Sequence, residues 1–223
     1  FPSNVELNKS GYLESQIILK ESLNDLEANK VEELIKDVIL LDVRNEYDFA
    51  ESHIPGSIFI GLDGRFAPWV GELLEDIKKP IILLAPEGRE EEAITRLSRV
   101  GFDNIKGYLD GGIKSWIESN KKTNSIENIK AQDFISLNSK FDLDILDVRS
   151  LNEYRNGSVN GSLNIPLVNL SDNLIKVNSN SRSYIYCKGG YRSMIASSIL
   201  YSYGIKNITN IIGGYDNISL YIK

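Results

Sequence analysis

Residues 186 to 193 read Tyr-Cys-Lys-Gly-Gly-Tyr-Arg-Ser and contain Cys187, the single cysteine of a 223-residue chain. A lone cysteine is most often a small buried hydrophobe. The neighbours of Cys187 argue for chemistry instead. Glycines let a backbone curl so that several N–H groups turn inward, and the N-terminus of a following helix adds partial positive charge. A guanidinium at Arg192 adds more. All three favour an anionic sulfur, which is the nucleophilic form of the side chain. Lys188 adds charge at the loop mouth, and Ser193 is placed either to cap the helix or to donate to a bound anion.

The elements that hold this loop occur twice. "ILLDVRNEYDFAESHIPGS" (39 to 57) aligns without gaps to "DILDVRSLNEYRNGSVNGS" (144 to 162), which sets Asp42 on Asp147, Arg44 on Arg149 and Asp48 on Glu153. "IILLAPEGREEEA" (81 to 93) falls on "SYIYCKGGYRSMI" (183 to 195), and "GYLDGGIKSW" (107 to 116) on "TNIIGGYDNI" (209 to 218). Three matched blocks in one order imply two copies of one domain. The polar stretch 119 to 128 lacks an apolar period and suits the join. The resulting division is 1–20 as a linker remnant from a preceding domain, 21–120 as the first copy and 121–223 as the second.

Within the second copy, 143–148, 183–187 and 207–212 are short apolar-rich runs of strand length. Between the last two, residues 190–204 carry Met194, Ile195, Ser198, Ile199 and Tyr201 at spacings that predict one helical face, closed by Gly204 as a C′ glycine. Strand, helix and strand in alternation predict an α/β fold with a mainly parallel sheet flanked by helices in each copy. Cys187 then stands at the carboxyl end of a central strand, where open α/β sheets bind ligands.

Composition narrows the function. A net charge of −6 argues against a general nucleic-acid binder or a protein drawn to anionic membranes. No apolar run reaches the roughly 20 residues of a membrane span. One cysteine makes no intrachain disulfide, so a reducing, cytoplasmic setting is expected. With one histidine, His53, no built-in transition-metal site or other cofactor is expected in this chain.

Together "DVRSLNEY", "CKGGYRS" and "IIGGY" resemble the rhodanese domain, and both copies follow the pattern. The resemblance implies tandem rhodanese-like domains, with Cys187 taking a sulfane sulfur from a small-molecule donor, holding it as a persulfide and passing it to a thiol acceptor. It implies that Lys188, Gly189, Gly190, Tyr191, Arg192 and Ser193 bind the donor. Asp147 and Arg149 match the strand end of the motif, where a buried ion pair supporting the sheet is the expected role. Cysteine-dependent phosphatases, which resemble C-x5-R, are the rival. The C-x4-R spacing here leaves a smaller cradle, suited to one transferable sulfur. A non-enzymatic alternative is a module that senses or binds persulfides without turnover.

The first copy has Ala85 at the place of Cys187, with Glu87, Glu90 and Glu91 around it, and is expected to be non-catalytic. His53 matches a histidine common in the family, but the second copy has Ser158 there. "LDGRFAPWVGELL" (62 to 74) resembles the inactive rhodanese module of bacterial fusions that carry a metallo-β-lactamase-fold persulfide dioxygenase or related hydrolase. The inactive-then-active order matches. The implied partner is an N-terminal domain of that fold, which would hold the only metal. Phe66 and Trp69 are expected either in the core or against that domain.

Overall fold

A computed structural model describes residues 15–222. In chain order the helices and strands are α1 (Ser15–Ser22), β1 (Asp25–Leu26), α2 (Ala28–Leu34), β2 (Ile39–Asp42), α3 (Glu46–Glu51), β3 (Ile58–Phe59), α4 (Phe66–Leu73), β4 (Ile81–Leu84), α5 (Glu90–Ser98), β5 (Ile105–Leu109) and α6 (Gly112–Glu118). The same succession returns as β6 (Glu127–Lys130), α7 (Ala131–Asn138), β7 (Asp144–Asp147), α8 (Leu151–Arg155), β8 (Leu163–Asn164), β9 (Ser183–Tyr186), α9 (Tyr191–Ser202), β10 (Ile208–Ile212) and α10 (Gly214–Ile218). Two 3₁₀ segments, Leu167–Asn169 and Ser171–Lys176, follow β8. Chain packing separates two compact units, one running to Asn45 and from 52 to 124, the other holding 46–51 and everything from 125. Of the residues expected to be a linker remnant, 1–14 lie outside the described ones, and Ser15–Ser22 form a helix.

Each unit is built on a five-stranded parallel sheet, ordered β1-β5-β4-β2-β3 in one and β6-β10-β9-β7-β8 in the other. The two orders are identical once the repeat is aligned. Helices on both faces bury the middle strands completely: every residue of β4 (Ile-Ile-Leu-Leu) and of β9 (Ser-Tyr-Ile-Tyr) is buried. That is why β4 reads as an unbroken apolar run and β9 as an apolar-rich one, neither alternating with polar residues. In the first unit Val31, Leu40, Ile82, Leu84 and Trp116 share one core cluster; in the second Phe134, Ile145, Tyr184, Tyr186, Ile211 and Ile218 do so. Phe66 is fully buried, with the Arg96 guanidinium 5.1 Å from its ring centroid, whereas Trp69 is half-buried.

Helix α9 departs from the one-faced pattern expected of it. Every residue from Ser193 to Leu200 is buried, so this stretch has no solvent face. The serines that imitate a polar face are satisfied internally: Ser197 Oγ donates to Ser193 O at 2.8 Å and Ser198 Oγ to Ile195 O at 2.8 Å. Such bonds to the preceding turn let hydroxyls enter a core without an unpaired donor. Tyr201, assigned to the apolar face, is only half-buried. Gly204 follows the helix with φ +85°, a left-handed stop.

Candidate active site

Central strand β9 ends at Tyr186, α9 starts at Tyr191, and the loop between them holds Cys187. The side chain of Cys187 is 1% exposed, and its Sγ accepts a hydrogen bond from the Gly190 N–H at 3.1 Å. Gly190 has φ +110°, a conformation that side-chain-bearing residues rarely adopt. Gly189 differs, since a Cβ there would meet nothing within 4 Å. Of the glycine pair, only the second is demanded by the backbone.

The loop is shaped from behind by α10. Tyr215 N–H donates to Cys187 O at 2.7 Å and Asp216 N–H to Lys188 O at 3.0 Å. A trans peptide sets its N–H opposite its C=O, so tying back these two carbonyls turns the N–H groups of Lys188 and Gly189 to the other side. The approach requires Gly214, where a Cβ would lie 2.4 Å from Cys187 O and 2.6 Å from Lys188 O. The first-turn N–H groups of α9 have no acceptor within the helix. The Gly190 N–H thus meets the sulfur at the positive, N-terminal end of a 12-residue helix.

The side chains expected around the loop divide in function. Lys188 and Gly189 are exposed and Tyr191 is half-buried. Ser193, expected to touch the donor, is fully buried, and its hydroxyl lies 2.8 Å from Gly190 O and 2.7 Å from Asn210 Oδ1. Asn210 Nδ2 donates onward to Asn128 Oδ1 at 2.8 Å. That side chain fixes the loop from within and has no hydroxyl to spare for a ligand.

Arg192 is held by Glu153 through two bonds, Nη1 to Oε2 at 2.7 Å and Nη2 to Oε1 at 2.6 Å. The Arg192 hydrogen bonds hold the Glu153 carboxyl well below the usual range, at about 2. In return the pair raises the Arg192 pKa, against desolvation, with a further contribution from the nearby Cys187 sulfur. Glu153 also closes a capping box with Ser150, whose N–H donates to Oε2 at 3.1 Å. The S-x-x-E spacing of Ser150 and Glu153 is readable in sequence as such a box. The 39-residue reach from Glu153 to Arg192 is not.

Asp147 and Arg149 form a buried ion pair, Nη2 to Oδ2 at 2.7 Å, and Nη2 also donates to Gly157 O at 2.7 Å. The guanidinium lies 4.0 Å from the Tyr215 ring centroid and 5.3 Å from that of Tyr186. Burial disfavours its charge, and the hydrogen bond and charge of Asp147 more than offset this, so the Arg149 pKa is raised. Asp147 is paired in register with Tyr186, the residue before Cys187. The pair thus braces β9, and Tyr215 links it to the helix behind the loop.

In the first unit Ala85 occupies the strand end, 9% exposed. Gly88, which aligns with Gly190, has φ +78°, but its N–H donates to Glu90 Oε1 at 3.2 Å. A Cβ on Gly112, the counterpart of Gly214, would come no closer than 4.0 Å to Ala85 O. Arg89 is occupied by Asp63 at 2.9 Å and Glu92 at 2.8 Å. The backbone turn survives, and its donor is taken by the module's own carboxylate.

The rhodanese-like domain family matches residues 23–119 and again 130–220. The chain belongs to the rhodanese-like family. It carries two such domains, each with the five-stranded parallel sheet described above. It is 32% identical over 97 residues to the Bacillus subtilis (strain 168) protein YrkF, a match spanning 43% of this chain and 52% of that protein. A rhodanese-like domain protein of Staphylococcus aureus is 29% identical, over 42% of this chain and 91% of that one, with TM-score 0.40. The Escherichia coli 3-mercaptopyruvate sulfotransferase SseA aligns with 86% of this chain and 99% of its own at 18% identity, with TM-score 0.40. The chain spans about half the length of the curated relatives it matches, 52% of YrkF and 56% of Bacillus subtilis YqhL. Among the described residues no helix is long and apolar enough to cross a membrane, and no group of three or more His, Cys, Asp and Glu is arranged to hold a metal ion.

Proposed function

We propose that the second rhodanese-like domain is a sulfurtransferase that carries sulfane sulfur on Cys187, from thiosulfate or a low-molecular-weight persulfide to a thiol acceptor. One observation carries this reading: Cys187 Sγ accepts the Gly190 N–H at 3.1 Å in a loop whose preceding carbonyls are tied away from it. Such a seat stabilises negative charge on sulfur and on whatever sulfur is bonded to it. The thiolate attacks the outer sulfur of the donor, a Cys–S–S bond forms, and the donor's S–S bond breaks with its electron pair leaving on the donor. An incoming thiolate then attacks the outer sulfur of the persulfide, and Cys187 leaves as thiolate.

The first domain is read as a non-catalytic scaffold, because Ala85 has no sulfur to carry and Glu90 takes the corresponding N–H. The proposal extends to a reducing, cytoplasmic setting and to a metallo-β-lactamase-fold domain N-terminal to this chain. What supports the latter is the 62–74 resemblance and the inactive-then-active order.

The deciding experiment is intact-protein mass spectrometry after incubation with each donor. A gain of about 32 Da, one sulfur atom, on wild type and none on Cys187→Ser is expected. Absence of the adduct with every donor would overturn the reading. Repeated discharge by excess thiol separates an enzyme from a sensor, which would load once and stay loaded.

A further inference from the structure

The ion pair between Glu153 and Arg192 has a consequence for which donor the loop accepts. Arg192 is a cationic side chain whose charge interacts with the Cys187 sulfur; it is one-fifth exposed, and two of its N–H groups are spent on a carboxylate at 2.6 and 2.7 Å. A guanidinium clamped in this way is fixed in place by a fork-to-fork geometry. Its charge is also largely offset at the mouth of the cradle. The other charged pair nearby, Asp147 with Arg149, is likewise self-neutralised. Lys188 remains, exposed to solvent where its charge is screened.

We propose that Glu153 is a positioning and specificity residue: by fixing and neutralising Arg192, it favours an uncharged organic hydropersulfide, R–S–SH, over dianionic thiosulfate. This rests on the sulfur-transfer reading above and concerns only its donor. With a hydropersulfide, Cys–S⁻ plus R–S–SH gives Cys–S–SH plus R–S⁻, so one negative charge is present on each side. With thiosulfate, Cys–S⁻ plus S–SO₃²⁻ gives Cys–S–S⁻ plus SO₃²⁻, so three negative charges must be accommodated throughout. The first exchange needs only the backbone donors around Cys187. The second needs a free cation, which Glu153 withholds.

The test is steady-state transfer to one thiol acceptor from thiosulfate and from 2-hydroxyethyl hydropersulfide, a donor whose organic part carries no charge, using wild type, Glu153→Gln, Glu153→Ala and Glu153→Asp. Both neutral variants should raise the ratio of thiosulfate to hydropersulfide kcat/KM about fivefold, mainly by lowering the KM for thiosulfate, the effect of one carboxylate at a partly solvated site. Glu153→Asp keeps the charge and should keep the wild-type preference, with reduced kcat from the shorter reach. Where Gln fails to fold, Ala carries the comparison. An equal fall of kcat/KM for both donors in the neutral variants would overturn the proposal and leave sulfur transfer standing. Absence of a Cys187 adduct from either donor in wild type would overturn both.

Discussion

The backbone N–H of Gly88 donates to Oε1 of Glu90 at 3.2 Å, at the position where the aligned Gly190 N–H meets Cys187 Sγ. The first domain has kept the turn and has filled its anion seat with a side chain of its own. Restoring the sulfur is therefore not enough. In a Cys187→Ser background, Ala85→Cys should give transfer at least roughly one to two decades below wild type, because Glu87, Glu90 and Glu91 repel an anionic sulfur. Pro86 also has no N–H to offer. Adding Glu87→Gly, Glu90→Arg and Glu91→Ser should recover part of the rate. Near-wild-type activity of the simple double variant would show that the pocket had lost only its nucleophile.

Gly214 and Gly112 align, yet they tolerate a methyl group very differently. Gly214→Ala drives a Cβ to 2.4 Å from Cys187 O, whereas at Gly112 the nearest atom is 3.9 Å away. Both have φ above +50°, so both incur left-handed strain of about 1–2 kcal/mol. Gly214→Ala should cost at least about 1 kcal/mol more in denaturant unfolding, the extra coming from the steric clash. It should also lower transfer, because Tyr215 and Asp216 can no longer hold the loop carbonyls. Equal costs at the two positions would remove α10 from its shaping role.

Ser193→Ala should separate positioning from donor contact. Losing a buried hydroxyl and leaving Asn210 Oδ1 without that donor should cost about 1–3 kcal/mol of stability. The KM for donor should stay at the wild-type value, because the hydroxyl is turned to Gly190 O and Asn210. A raised KM with unchanged stability would place the hydroxyl on the donor instead.

The Glu153 carboxyl has a folded-state pKa of about 2, depressed from 4.5 chiefly by the hydrogen bonds from Arg192. A depressed carboxyl contributes stability that is complete above its unfolded pKa and is lost as pH falls through its folded pKa. Stability should therefore decline from about pH 4.5 toward pH 2, and Glu153→Gln should flatten that part of the profile. Urea titrations at several pH values read this directly. An unchanged acid limb in the variant would show that Glu153 is no better paired in the folded chain than in the unfolded one.

Much of this architecture was legible because the repeat writes it twice. The "DVR" blocks, the apolar runs at 81–84 and 183–186 and the two Gly-Gly turns are local signals, and each marks a strand end or a helix start. The edge strands were not legible: β1, β3 and β8 are two residues long and β6 is mostly exposed, so none carries an apolar run of full strand length. Cys187 and its helix could be read from spacing alone. Glu153 and Tyr215 could not, because their roles depend on contacts that the chain makes only after folding. The role of Ser193 stayed open for the same reason, since a serine at a helix start looks alike whether it faces a ligand or Asn210.

Arg149 offers the sharpest test of how the site is braced. Asp147 is fully buried and Arg149 3% exposed, so the charge of each depends on the other. Asp147→Asn should remove the anion and leave a guanidinium between two tyrosine rings with only neutral acceptors, at a cost of about 3–5 kcal/mol. Arg149→Met should be comparably harmful, because it strands a buried carboxylate. Combining Asp147→Asn with Arg149→Met removes both charges, and its cost should fall well below the sum of the single changes, since contacting residues of a buried pair are strongly coupled. A double-mutant cycle by urea denaturation measures that coupling. Additive costs would mean that the pair is not an energetic unit, and that Arg149 is held by Gly157 and the rings of Tyr186 and Tyr215 alone.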